Sequence, residues 1–123
     1  MTDLLNCPCA GVTLDKLIRP AILSLLAHRP MHGYQVAERI RKMPHFADQK
    51  PDISGVYRFL KTMQESGLLT SSWDTPQAGP ARKIYQITPS GEECLHWWVN
   101  TLERYRKRIT ALLEIARSAS ETI

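Results

Sequence analysis

The chain has 123 residues, 43% of them hydrophobic, and carries 16 Lys+Arg against 12 Asp+Glu for a formal net charge of +4. That length holds one ordinary domain, excludes two substantial ones, and leaves a core small enough that a second copy would add stability. The mild basic excess suits a polyanion partner without requiring one, and no run approaches the roughly 18 apolar residues that span a bilayer, so no membrane partner is expected.

The first residues, MTDLLNCPCAG, show neither a basic n-region nor a long apolar run, which argues against a secretory signal. Three cysteines, two of them in Cys7-Pro8-Cys9, argue against a disulfide framework and favour a reducing cytoplasm. Residues 1–13 read as an arm ahead of the folded unit.

From Leu14 the apolar residues Leu17, Ile18, Ala21, Ile22, Leu25 and Leu26 step by three and four, one face of an amphipathic helix. Pro20 places its start near Arg19, and Pro30 ends it. A second helix is expected over Met31 to Met43, with Val36, Ala37 and Ile40 inward. Gly33 near its head costs about 1 kcal/mol against Ala and allows close approach of another backbone or a ligand.

The third helix follows Pro51, with Asp52 as N-cap and Ile53, Val56, Leu60 and Met63 facing inward. Ser66-Gly67 reads as its end. Leu69 to Trp73 and Lys83 to Thr88 are rich in β-branched and aromatic residues, separated by the turn-forming DTPQAGPA, so a β-hairpin with a long loop is expected. A last helix starts at Thr88 or Ser90. Its seam of Leu95, Trp98, Leu102, Tyr105, Ile109, Leu112 and Ala116 steps three, four, three, four. The other side carries Arg104, Arg106, Lys107 and Arg108. About 25 residues of helix would extend roughly 38 Å, beyond a domain this small, so the seam from Leu95 to Leu112 is read as a homodimer interface.

This is a mostly α chain with a β-hairpin wing: a winged helix-turn-helix over residues 14–88 and a long C-terminal dimerisation helix over 89–123. On the third helix Ser54, Arg58 and Lys61 share one polar face at i, i+4, i+7, and the small first turn, Ser54-Gly55, permits close approach to DNA. A solvated charged face would show the same residues. Arg58 would bind guanine bidentately or grip phosphate. Tyr34 and Gln35 open the second helix, where the Tyr hydroxyl is either a phosphate donor or the tip of a packing aromatic. Tyr57 is read as packing more than reading. Arg82 and Lys83, after Gly79-Pro80, would lie along the minor groove or a phosphate strand, unless one of them pairs with Asp74.

The runs LLAHRPMHGYQVAERI, GVYRFLKTMQESGLLTSSW and GPARKIYQITPSGEE together resemble the PadR family of transcriptional regulators. The matching features are Pro-x-His-Gly-Tyr ahead of the second helix, Tyr57 followed by Leu60 and Glu65-x-Gly67-Leu68, and Gly-Pro-x-Arg-Lys-x-Tyr in the wing. They span roughly Ile22 to Glu93. The resemblance implies a DNA-binding homodimer, usually a repressor. Ser54 and Gly55 depart from the Gly-Thr pair expected there, which leaves the base preference open.

Such a regulator needs an input. Cys7 and Cys9 would supply two of the roughly four ligands of a zinc site, with a second copy or Cys94 completing it; the Cys-Pro pair would also suit haem, the two thiols a redox sensor, or neither. By the same resemblance Trp97 or Trp98, of which only Trp98 lies on the seam, would stack on a flat aromatic effector, or both simply pack. The histidines lack metal-binding spacing, and His32 is expected to be a structural hydrogen-bonder. No phosphate-cradling Gly-rich loop, G-x-S-x-G or acid/base pair marks an enzyme. The alternative function is a winged-helix module that contacts protein without DNA.

Overall fold

The computed structural model describes residues 17–46, 50–75 and 79–123. In chain order the elements are α1 (Ile18–His28), β1 (Met31–His32), α2 (Gly33–Arg41), a 3-10 turn (Pro44–Phe46), α3 (Ile53–Glu65), β2 (Leu69–Asp74), β3 (Arg82–Ile87) and α4 (Pro89–Ser120).

Pro20 falls in the first turn of α1, where its missing N–H has no helical acceptor to lose. The helix stops at Arg29, whose extended backbone is what a following proline imposes. Ile18, Ala21, Ile22 and Leu26 are buried as their spacing predicts, and so is Leu23, off that stripe. The reason is position: α1 touches α2, α3, β3 and α4, so more than one of its faces is covered.

Met31 and His32 are the chief departure from the expected elements. They do not open the second helix; they form a short strand, pairing Met31 with Tyr85 and His32 with Ile84. The hairpin is thereby a three-stranded antiparallel sheet in the order β1-β3-β2. The added strand satisfies the open edge of β3, which would otherwise present bare backbone donors and acceptors. Helix α2 then begins at Gly33, which is buried. A Cβ there would lie 2.6 Å from Cε1 of Tyr57, so the close approach that Gly33 allows is made by a ring of α3.

Asp52 caps α3, its carboxylate accepting the Gly55 N–H at 2.7 Å. Val56, Leu60 and Met63 are buried and Ile53 half-buried. At the other end Gly67 takes φ 81. The Gly67 N–H reaches the Gln64 carbonyl and the Leu68 N–H the Met63 carbonyl, each at 3.0 Å, which turns the chain out of α3 and into β2.

Strands β2 and β3 pair from Leu69↔Ile87 out to Asp74↔Arg82. Thr88 caps α4: its hydroxyl accepts the Gly91 N–H at 3.0 Å and donates to the Gly67 carbonyl at 2.7 Å. Gly91 is buried with the Leu68 carbonyl directly over it, so no side chain fits there. Helix α4 runs 32 residues, about 48 Å at the standard rise. Its first part meets the domain: Cys94, Leu95 and Trp98 pack on the core, and Leu102 lines a groove with Leu17, Ala21 and Met43. From Leu102 onward every residue is exposed in the single chain.

Candidate nucleic-acid interface

Because Val56, Leu60 and Met63 point into the core, α3 is forced to turn Ser54, Arg58 and Lys61 outward, and all three are exposed. Gly55, grouped with them by sequence, is buried; its N–H belongs to Asp52, so its small size serves the cap. A Cβ on Gly55 would come within 2.6 Å of Oδ1 of Asp52.

The head of α2 lies beside the wing. Tyr34 and Gln35 are exposed. The Gln35 side-chain carbonyl accepts the His32 N–H at 3.2 Å, which closes the first turn of α2. Nε2 of His32 sits 3.3 Å from the Asp74 carboxylate, joining this turn to the end of β2. His32 is thus the structural hydrogen-bonder its place suggested. Asp74 takes His32 as its partner in place of Arg82 or Lys83, although Arg82 stands opposite it in the ladder.

Tyr34, Tyr57, Arg82 and Lys83 line one cleft with His32 and Gly33. Three elements therefore bring their candidate residues to one place: α2, α3 and the wing. Tyr57 packs its ring edge close to Gly33, and 39% of the residue stays exposed. Burial, then the neighbouring Tyr34, pushes the Tyr57 hydroxyl above the ordinary 10.0, so it stays a neutral donor. Burial and then Tyr57 do the same to Tyr85. Lys83 is half-buried, its ammonium 5.9 Å from the Trp73 ring centre and 5.8 Å from that of Tyr85.

Ion pairs among the described residues join His32 to Asp74 and Arg106 to Glu103. Arg58, Lys61, Arg82 and Lys83 therefore have no carboxylate partner within the described residues. Exposed cations on α3 and cations of the wing, none with a carboxylate partner among the described residues, are suited to phosphate. Sequence reasoning missed two neighbours of this surface. Arg19 lines a groove with Arg58, Phe59 and Thr62; as one charge in an apolar helix it gave no periodic signal. Trp73 stood out only as a β-former.

The remaining candidates lie apart. Trp97 is exposed and Trp98 half-buried, on α4 away from the cleft. Cys94 is free and half-buried. Cys7 and Cys9 fall outside the described residues. Among the described residues no group of three or more His, Cys, Asp or Glu is placed to hold a metal ion, and no helix is long and apolar enough to cross a membrane.

The family model described as the transcriptional regulator PadR-like family matches residues 22–96. The chain belongs to the PadR-like family. Its members are transcriptional regulators and not enzymes, and the matched region runs from α1 through the wing into the start of α4, so it contains the whole cleft. A search of curated proteins finds no match. Among solved structures, TA0346 of Thermoplasma acidophilum is similar at 32% identity and a TM-score of 0.68, covering 83% of this chain and 95% of that one. A PadR family regulator from Clostridium difficile shares the fold at 24% identity and a TM-score of 0.69, over 79% of this chain and 98% of that one. Bacillus subtilis PadR, solved in complex with operator DNA, is 25% identical with a TM-score of 0.60, over 68% of this chain and 46% of that one. The winged helix-turn-helix of PadR-like proteins is thus the fold of this chain, with β1 closing the wing into a three-stranded sheet.

Proposed function

We propose that this PadR-like chain binds double-stranded DNA sequence-specifically as a homodimer and represses transcription. The observation that carries the reading is the set of cations on α3 and the wing, Arg58, Lys61, Arg82 and Lys83, that have no carboxylate partner among the described residues, with Arg82 and Lys83 in one cleft with Tyr34 at the exposed head of α2. The Bacillus subtilis relative, solved with operator DNA, supports it.

In this reading α3 enters the major groove. Ser54, Arg58 and Lys61 face base edges and phosphates, and Gly55 keeps the Asp52 cap tight enough for the turn to approach. Tyr34 and Gln35 donate to the backbone from α2. Tyr57 supports Tyr34 and packs against Gly33. Arg82 and Lys83 hold the flanking phosphate strand from the wing. The unit from residue 14 to 88 does the binding, and residues 89–123 pair two copies.

The apolar seam of α4 supports pairing. Leu102, Tyr105, Ile109 and Leu112 line one seam and are exposed in a single copy, a state that costs about 25 cal/mol per Å² of apolar surface left in water. Leu95 and Trp98 continue the seam into the domain's own core and fix the direction of the helix. Two such helices packed together would set two α3 helices toward successive major grooves, about 34 Å apart, and so toward a near-palindromic operator. Trp97 and Trp98, near the base of that pairing, are the proposed seat of a flat aromatic effector.

Selection of bound sequences from a random duplex pool, at two salt concentrations, tests the reading. A two-fold motif with half-sites one helical turn apart is expected. Recovery of no sequence preference at either concentration contradicts it.

A further inference from the structure

On the winged helix-turn-helix body, the large hydrophobic side chains left exposed among the described residues are few and grouped. Outside α4 and Ile123 they are Tyr34, 54% exposed, Tyr57, 39%, and Trp73, 67%. Tyr34 and Tyr57 line the cleft with Lys83. Trp73 stands directly opposite Lys83 in the β2–β3 ladder, on the same face of the sheet.

The direction of that face is set by its other members. Leu69, Ser71 and Trp73 alternate along β2, with Ile87, Tyr85 and Lys83 across from them. Leu69 and Tyr85 are buried in the core. The Ser71 hydroxyl donates to the Gln64 side chain of α3 at 3.0 Å. Trp73 and Lys83 are the next pair outward, so they project beyond the core from the face that looks at α3. An indole and an ammonium ion are then held side by side where the wing and the recognition helix flank one groove.

We infer that Trp73 is a further DNA-contacting residue of the wing. One face of its indole holds the Lys83 ammonium in place; its exposed edge rests on the deoxyribose of the strand whose phosphate Lys83 neutralises. The inference rests on the DNA-binding reading of this surface. The physical gain is twofold. A lysine side chain loses substantial rotamer freedom when it grips a phosphate, and a ring already holding it removes part of that loss. A flat apolar edge also excludes water from the phosphate contact, which strengthens it.

The test uses the full chain and a labelled duplex. Trp73→Ala is expected to weaken binding on the order of fivefold or more, and to flatten the salt dependence because Lys83 is no longer held. Trp73→Phe, which keeps a ring, is expected to retain most of the affinity. Tryptophan emission of the wild-type protein should change on adding duplex, and the change should disappear in Trp73→Phe, which still binds. Unaltered affinity in Trp73→Ala, or an equal emission change in wild type and Trp73→Phe, overturns the inference. Failure of the wild-type protein to bind any duplex removes the DNA reading itself and is separate from either result.

Discussion

Arg58 leaves α3 one turn after Ser54, exposed and without a carboxylate among the described residues. If it reads a base, Arg58→Ala should cost about 1–3 kcal/mol on the preferred operator and relax the preference at one position. Lys83 belongs to a different class. Its ammonium is held between Trp73 and Tyr85 rings rather than aimed at a base. Lys83→Ala should therefore weaken all duplexes alike and lower the salt slope by about one. Competition binding with operator and random duplex, in each variant, separates the two roles. The residues of this surface were legible in sequence to unequal degrees. Arg58 and Lys61 followed from the inward stripe of Val56, Leu60 and Met63, because a buried face dictates its opposite. The Asp74–His32 pairing did not, because it joins groups 42 positions apart and depends on a strand that the spacing did not show.

Helix ends carry much of the fold's definition. Asp52 satisfies the Gly55 N–H and positions the first turn of α3; Asp52→Ala should lower stability by about 0.5–2 kcal/mol. Gly91 makes an opposite case. Ala normally favours a helix over Gly by about 1 kcal/mol, but here the Leu68 carbonyl and the Ile87 side chain occupy the space a methyl would take. Gly91→Ala should be destabilising by about 1–3 kcal/mol, and chemical denaturation of both variants checks the two losses. Most elements were legible because prolines and glycines punctuate the chain: Pro30, Pro51, Gly67 and Pro89 each stand beside a boundary that the structure also has. The exception, β1, is two residues long. It exists only because β3 offers an edge, so no local pattern of Met31 and His32 could announce it.

At the scale of the whole molecule, α4 joins a small core to a long apolar seam. Ile109 and Leu112, each 64% exposed in one chain, are where pairing should be most sensitive. Ile109→Asp should shift the sedimenting species from dimer to monomer while leaving the domain core folded, because Ile109 touches none of it. The heptad-type spacing made this helix legible, yet the division of labour along it was not: the same step of three and four serves the domain's own core at Leu95 and Trp98 and leaves Tyr105, Ile109 and Leu112 exposed. Stability of the folded unit also carries a pH signature. Tyr57 and Tyr85 are held above 10.0 by burial, so the folded state favours their neutral forms. Their contribution is complete below the unfolded value of about 10 and is lost as pH rises through the folded values; thermal melts across that range should show the decline, reduced in Tyr57→Phe.

DNA binding by this chain requires α3 and the wing to form a phosphate-binding surface. Its most direct test is equilibrium binding of the chain to a random-sequence duplex between about 50 and 200 mM salt. The logarithm of the affinity should fall linearly with the logarithm of salt, with a shallower line for Lys61→Ala and Lys83→Ala. Binding that ignores salt, or slopes unchanged in both variants, would contradict it.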